Sequence, residues 1–185
     1  MFGEVEKLQA LMAPFDGDYW IAGGWAVDMF LGKVTREHKD IEAAIRRDDQ
    51  KALLGLPGLA RAEYAKDHKL HPWEGERLSL PLHELYLHFE NGATLEILLN
   101  EFDGSDWVFR RNPRVRRSAA DFMRGHALPV AVPLLYKSKD PRQKDEGDFA
   151  LCAPKLPEAE RAWLRAAIAL DHPLHPWLES LAPAR

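Results

Sequence analysis

A pair of glycines followed by two closely spaced carboxylates is the feature that most restricts how this chain can fold. Gly23 and Gly24 follow a short apolar run, residues 19–22, and Asp40 and Glu42 lie two residues apart further on. On a β-strand, residues i and i+2 point to the same side, so the two carboxylates would converge on one point. Glycines after a buried strand let the backbone approach a ligand, and the amides that open the next helix can meet a phosphate. The pattern therefore predicts a strand, a glycine turn and a helix beside a strand that carries oxygen ligands for Mg²⁺.

Hydrophobic periodicity predicts the remaining elements. It indicates helices over 4–13, 25–31, 49–54 and 141–151 and from 157 onward, strands over 39–45 and 60–65, and a polar loop over 66–73. Asn91-Gly92, between apolar runs over 83–90 and 93–99, is the strongest hairpin signal in the chain. On the second arm of that hairpin, Glu96 is a lone acid between apolar residues.

The glycine and carboxylate pattern resembles the nucleotidyltransferase superfamily of the polymerase-β type, whose signature is a glycine turn, a spacer and Asp-x-Asp or Asp-x-Glu. It is closest to the aminoglycoside 2''-adenylyltransferase branch, through Gly23-Gly24-Trp25-Ala26-Val27-Asp28, Thr35-Arg36, His38 and Asp40-Ile41-Glu42. The resemblance implies an α+β fold: a small mixed β-sheet with helices packed on one side, followed by a C-terminal helical segment. We therefore divide the chain into a catalytic domain, 1–128, and a helical subdomain, 129–185.

The resemblance also implies an enzyme, a nucleotidyltransferase that moves a nucleoside monophosphate to a hydroxyl group of a small acceptor. The donor would be ATP, the transferred group AMP and the cofactor Mg²⁺, with two ions. The acceptor would be a small hydroxylated compound such as an aminoglycoside-like antibiotic, for which loose acidic candidates are Asp103, Asp106, Glu84, Glu74 and Glu76.

Three carboxylates are the expected catalytic residues and metal ligands by this resemblance. Asp40 and Glu42 would form the metal pair, and Glu96 would complete the acceptor side and could take the acceptor proton. Glu42 stands where the aminoglycoside branch usually has Asp, and a longer side chain can shift a metal. The alternative for Glu96 is that it faces water on a one-sided sheet.

Six further residues are expected to contact the nucleotide: Gly23, Gly24, Arg36, His38, Lys137 and Lys144. The two lysines lie in a segment, 136–149, that is similar to a helical motif after the catalytic domain in this superfamily. His38 could equally make a structural hydrogen bond in a loop, and Lys144 could pair with Asp148 at i, i+4. Asp28 is expected to serve packing and the helix dipole rather than substrate.

Composition limits the classes of partner. The chain has 185 residues, 46% of them hydrophobic, and a net charge of -4, which gives no overall attraction to nucleic acid or anionic membrane. One cysteine, Cys152, excludes an internal disulfide, and the N-terminus lacks a secretory signal, so we expect a cytoplasmic protein without a membrane span. The oligomeric state is not predicted.

Two other functions remain open at this stage. A toxin-like transferase acting on RNA would grip its substrate with the arginines of 110–117, although such a cluster is more often a solvated rim. A nucleotide-binding relative without turnover would keep the fold alone.

Overall fold

The computed structural model describes residues 2–183. Its helices are α1 (Gly3–Met12), α2 (Gly23–Leu31), α3 (Ala131–Lys137), α4 (Gln143–Cys152), α5 (Glu158–Asp171) and α6 (Trp177–Ser180). Its strands are β1 (Tyr19–Ile21), β2 (Glu42–Arg46), β3 (Leu59–Lys66), β4 (Lys69–Pro72), β5 (Glu84–Phe89), β6 (Thr94–Asp103), β7 (Asp106–Val108) and β8 (Arg116–Ser118). Short 3₁₀ helices cover Arg47–Gly55, Ala119–Asp121 and Ala153–Lys155.

The strands form one mixed sheet in the order β1-β2-β6-β5-β3-β4, with β7 paired to β6 and β8 paired to β7. The pair β2–β6 is parallel, and every other pairing of these strands is antiparallel. The predicted α+β class, a mixed sheet with helices, is confirmed. Asn91-Gly92 closes the β5–β6 hairpin as predicted, with Gly92 at a φ of +83°.

Alternate residues of β1 enter two hydrophobic clusters, because successive strand side chains point to opposite faces. Tyr19 and Ile21 pack with apolar residues of α1, whereas Trp20 packs with α3 and α5 residues such as Leu134 and Leu164. Each such fully buried side chain stabilises the fold by about 1.5–3 kcal/mol. The sheet and the C-terminal helices therefore share a core, and the domain boundary at 128/129 stays a prediction.

Several boundaries differ from the sequence prediction. Strand β2 begins at Glu42 rather than at residue 39, so Asp40 lies in the bend before the strand and is exposed. The segment predicted as a loop contains β4, which pairs with β3 across a turn in which Asp67 and His68 have positive φ values. Asp and His adopt this conformation more readily than most residues, which makes a tight turn feasible there.

Helix α4 begins two residues later than predicted. The Asp145 side chain accepts a hydrogen bond from the Arg142 backbone N–H at 3.1 Å, which completes a capping box and fixes the first turn at Gln143. In the described part of the chain, no helix combines the length and apolar character needed to cross a membrane.

Candidate active site

A cleft of about 790 Å³ opens where β2, β5 and β6 face α2, α3 and the start of α4. Its size suits a small-molecule site. The structure places all nine sequence-predicted site residues on its wall: Gly23, Gly24, Arg36, His38, Asp40, Glu42, Glu96, Lys137 and Lys144. Their individual roles remain predictions.

Two of the acids are held by the parallel strand pair. Glu42 is the register partner of Glu96 in β2–β6, and Tyr86 is the partner of Glu96 in β5–β6, so the three form a row across the sheet. Burial and then the charges of Glu42, Glu84 and Asp40 raise the pKa of Glu96 to about 8. Burial and the neighbouring acids therefore disfavour the ionised form of Glu96 at the floor of the cleft.

Glu42 also contacts the glycine turn. Gly23 has a φ of +57°, and a Cβ atom there would overlap the Glu42 carboxylate. Burial raises the pKa of Glu42, while Lys137 and a hydrogen bond from the Gly24 backbone lower it. The glycine pattern predicts that the amides at the start of α2 bind phosphate, whereas here the Gly24 backbone binds an internal carboxylate. The longer side chain of Glu42, compared with Asp, makes this reach feasible.

The carboxylates fit Mg²⁺ by charge and donor type. In residues 2–183 no three His, Cys, Asp or Glu side chains are already close enough to form a metal cage. Asp40, Glu42 and Glu96 nevertheless share one wall of the cleft, and the charges of Asp40 and Glu42 disfavour the ionised form of Glu96, which is the condition a hard cation relieves.

A buried hydrogen-bond network supports the loop before β2. Asp28 is fully buried and accepts hydrogen bonds from the Thr35 backbone N–H at 3.2 Å and from His38 Nε2 at 2.6 Å. His38 Nδ1 lies 3.0 Å from a guanidinium nitrogen of Arg36. Both His38 and Arg36 pack against Gly24, where a Cβ would overlap them. The structural alternative for His38 is thus observed, in a place that still faces the cleft.

Asp28 has a role at the site that the sequence did not predict. Its side chain fixes the loop 35–38 rather than serving only packing and the helix dipole. The Thr-Arg-x-His spacing was the available signal, because a hydroxyl and an imidazole within one short loop can converge on a single carboxylate.

Helix α4 supplies the acids that hold the cations of the cleft. Asp148 binds Arg36 at 3.1 Å and Lys137 at 3.0 Å, and Lys137 also binds Asp145 at 2.7 Å. Lys144 is exposed, and its suggested partner Asp148 is paired with Arg36 and Lys137 instead. Lys137 is therefore fixed at the wall, whereas Lys144 projects toward solvent at its edge.

The arginines of 110–117 do not form one surface. Arg110 and Arg111 line the cleft, while Arg114 is exposed elsewhere. Arg116 binds Asp103 at 2.8 Å, and Arg117 binds Glu160.

Of the five acids suggested for an acceptor pocket, Glu84 alone lines the cleft. Asp103 and Asp106 both bind Arg116. The Glu76 carboxylate accepts a hydrogen bond from the Glu74 backbone N–H. The structure therefore leaves four of these residues outside the site.

The wall of the cleft is close to electroneutral. The acidic side chains on it are Glu37, Asp40, Glu42, Glu84, Glu96, Asp140 and Asp145, and the basic ones are Arg36, Lys39, Arg110, Arg111, Lys137, Lys139, Arg142 and Lys144. Sequence reasoning missed Tyr86 and Tyr136, which also line the cleft, because an isolated aromatic residue in an apolar segment carries no signal of a site.

Several known proteins are similar to this chain. The model of the aminoglycoside-2''-adenylyltransferase family matches residues 4–150. A 2''-aminoglycoside nucleotidyltransferase of Escherichia coli and one of Klebsiella pneumoniae are each 45% identical over 42 residues, 21% of this chain and 24% of theirs. The match thus spans about a quarter of the length of these curated relatives.

Two solved structures share the fold. The solution structure of the antibiotic-resistance factor ANT(2'')-Ia superposes with a TM-score of 0.56 at 18% identity, covering 92% of this chain and 94% of that one. The lincosamide antibiotic adenylyltransferase LnuA, in a lincomycin-bound crystal structure, gives 0.53 at 20% identity, covering 82% and 95%.

Proposed function

The chain belongs to the aminoglycoside-2''-adenylyltransferase family, and on that premise we propose that it is a Mg²⁺-dependent enzyme that moves AMP from ATP to a hydroxyl group of a small acceptor. The observation that carries the proposal is the row of Glu42 and Glu96 on the parallel strands, facing the fixed cation Lys137 across one cleft. This chemistry requires carboxylates that bind a divalent cation and positively charged side chains that bind a triphosphate.

The donor end of the cleft is defined by Gly24, Lys137 and Lys144, the groups whose charge or backbone N–H acts on Glu42. The lysines would neutralise phosphate oxygens, and Arg36 beside Gly24 would add a guanidinium to the same place. The Glu42 carboxylate would leave the turn as phosphate enters, because two anions cannot share the same amides.

The reaction would join an acceptor oxygen to the α-phosphorus of ATP while the bond from that phosphorus to the bridging oxygen breaks and pyrophosphate departs. Glu96 would take the proton of the acceptor hydroxyl, because it lines the cleft directly beside Glu42 of the metal pair. Mg²⁺ held by Asp40, Glu42 and Glu96 would supply charge neutralisation at the phosphates and a lower pKa of the hydroxyl. A cytoplasmic location is part of the proposal, supported by the ATP donor and the single buried thiol of Cys152.

The test is an adduct screen. The protein is mixed with ATP, Mg²⁺ and single hydroxylated antibiotics or metabolites, and pyrophosphate release and a mass increase of one AMP are measured. We expect Asp40→Asn to lose both signals by about 10³-fold or more, because a lost metal ligand removes transition-state stabilisation worth several kcal/mol. Asp67→Asn is the matched control, since Asp67 is exposed in the β3–β4 turn and does not line the cleft.

Two results would contradict the proposal. An Asp40→Asn variant as active as the protein itself would remove the metal site from the mechanism. Nucleotide binding without pyrophosphate release from any acceptor would identify a relative without turnover.

A further inference from the structure

Asp40 differs from the other two proposed metal ligands because no strand holds it. It lies in residues 33–41, which we call the metal loop, between α2 and β2. In the part of the chain that the structure describes, residues 34–40 form no hydrogen bond between backbone groups. The next backbone contact is that of Ile41, whose carbonyl accepts a hydrogen bond from the Glu96 N–H at 3.0 Å. The position of Asp40 therefore depends on side chains that hold the metal loop.

One anchor of the metal loop lies in α2. Asp28, which is fully buried, accepts hydrogen bonds from the Thr35 backbone N–H, from the Thr35 hydroxyl and from His38 Nε2. Hydrogen bonds to an ionised carboxylate are shorter and roughly twice as strong as those between neutral groups. Asp28 therefore fixes the metal loop at two points, one before and one after Arg36.

The other anchor lies in α4. Arg36 donates two hydrogen bonds to the buried carboxylate of Asp148, from Nε at 3.3 Å and from Nη2 at 3.1 Å. Its third nitrogen, Nη1, lies 3.3 Å from the Glu37 carbonyl oxygen and 3.0 Å from His38 Nδ1. An arginine side chain can only donate, so Nδ1 accepts and the Nε2 proton of His38 points to Asp28. Four of the five guanidinium N–H groups are thus used inside the protein, which leaves one for a phosphate.

We propose that Arg36, held by Asp148, is a positioning residue that fixes the metal loop and so keeps Asp40 on the wall shared with Glu42 and Glu96, ready for Mg²⁺. The inference rests on the proposed function, and it gives Arg36 a role in metal binding in addition to its contact with the triphosphate. A loop that is ordered before the ion arrives does not have to be ordered when the ion binds, and this raises the affinity. Outer-shell partners of metal ligands typically contribute about 10–100-fold to metal affinity.

The charge of Arg36 alone would have the opposite effect on metal binding. Arg36 is a cation near a proposed cation site, so its removal would strengthen metal binding if only electrostatic repulsion mattered. Arg36→Lys keeps the charge but cannot form the two-point contact with Asp148, because an ammonium group lacks the planar fork of arginine. Weaker metal binding in both Arg36→Gln and Arg36→Lys would therefore identify the loss of the anchor rather than of the charge.

The test measures Mn²⁺ binding to the nucleotide-free protein by electron paramagnetic resonance of the free ion, because Mn²⁺ takes the same oxygen ligands as Mg²⁺. We expect Arg36→Gln and Arg36→Lys each to raise the Kd about tenfold. In the metal-free protein, the Thr35 amide, which is bonded to Asp28, should exchange its hydrogen about tenfold faster in both variants. Arg114→Gln, an exposed arginine outside the cleft, is the matched control and should change neither value.

Mn²⁺ binding that is unchanged or tighter in Arg36→Lys, or an unchanged exchange rate of the Thr35 amide, would overturn the inference. Arg36→Lys is the milder substitution and decides the outcome if Arg36→Gln does not fold. Failure of the proposed function gives a different result. AMP adducts from a protein whose Mn²⁺ affinity does not depend on Arg36 would refute the positioning role alone, whereas weaker Mn²⁺ binding in the variants without any adduct from the unaltered protein would refute the transfer reaction alone. Absence of Mn²⁺ binding by the unaltered protein would refute both.

Discussion

Replacing Glu96 with Gln should make the metal-free protein more stable at alkaline pH. Glu96 has an ordinary pKa of 4.5 in the unfolded chain and about 8 in the folded protein. Between pH 4.5 and about pH 8 the folded protein keeps a proton on Glu96 that the unfolded chain has released. The free energy of unfolding therefore falls as the pH rises through this range, and above about pH 8 the destabilisation by the Glu96 charge is complete.

The size of the effect follows from the pKa difference. At about 1.36 kcal/mol per pH unit, the whole difference corresponds to roughly 5 kcal/mol. Glu96 is half-buried and lines an open cleft, so solvent reduces both the cost of burying its charge and the repulsion from neighbouring acids, and we expect about 2 kcal/mol. Gln keeps the shape of the side chain and carries no charge, so the free energy of unfolding of the variant should not fall between about pH 5 and about pH 8.5 for this reason.

The assay is urea unfolding followed by tryptophan fluorescence in the presence of a chelator, at about pH 5 and about pH 8.5. Glu90→Gln is the matched control, because Glu90 is exposed at the β5–β6 turn. Adding Mg²⁺ at the higher pH should stabilise the protein by about 1.4 kcal/mol at roughly ten times its Kd, and the Glu96→Gln variant by less. Equal pH dependence in the protein and in Glu96→Gln would refute the raised pKa of Glu96, which burial and the neighbouring acids cause.

Three other substitutions test the surroundings of the site. Gly23→Ala places a Cβ at a positive φ and against the Glu42 carboxylate, so thermal unfolding should show a loss of about 1–3 kcal/mol and calorimetry a weaker affinity for ATP. Asp28→Asn places an amide where His38 and Thr35 both donate hydrogen bonds to a carboxylate. Urea unfolding should show a free energy of unfolding lower by about 1–3 kcal/mol, and an unchanged value would show that the network does not stabilise the fold. Lys137→Gln removes a shared cation from two buried aspartates, and we expect a loss of about 2–3 kcal/mol together with weaker ATP binding, while Lys139→Gln, exposed at the rim, should keep its stability.

The elements that a local pattern controls were predictable from the sequence. The glycine turn, α2 and the β5–β6 hairpin follow from glycine positions and from periodicity, and they appear where the sequence placed them. The two-residue repeat places Glu96 on the face opposite Leu95 and Ile97, but only the family resemblance favoured the cleft over water for that face. The residues of the proposed site follow from that pattern together with the family resemblance.

The remainder depends on tertiary contacts. The beginning of β2 is set by its pairing with β6, which no local signal marks, and so Asp40 lies outside the strand. Glu42 bonds to the Gly24 backbone, and Asp148 pairs with Arg36. Each contact joins segments that are far apart in the sequence, so no local pattern predicts it. A charge run such as 110–117 does not reveal which arginines will meet an acid and which will face a cavity.

Because β2 pairs with β6, the spacing of the two acids and the lining of the rest of the cleft are set by different parts of the fold. Backbone hydrogen bonds fix the spacing of Glu42 and Glu96, so this spacing does not depend on the loops around the cleft. Two loops, residues 73–83 and 109–115, lie between strands and contribute His83, Arg110 and Arg111 to the lining of the cleft. If the proposed transfer reaction is correct, substitutions in these two loops would change which acceptors enter, while the spacing of the two acids would stay the same.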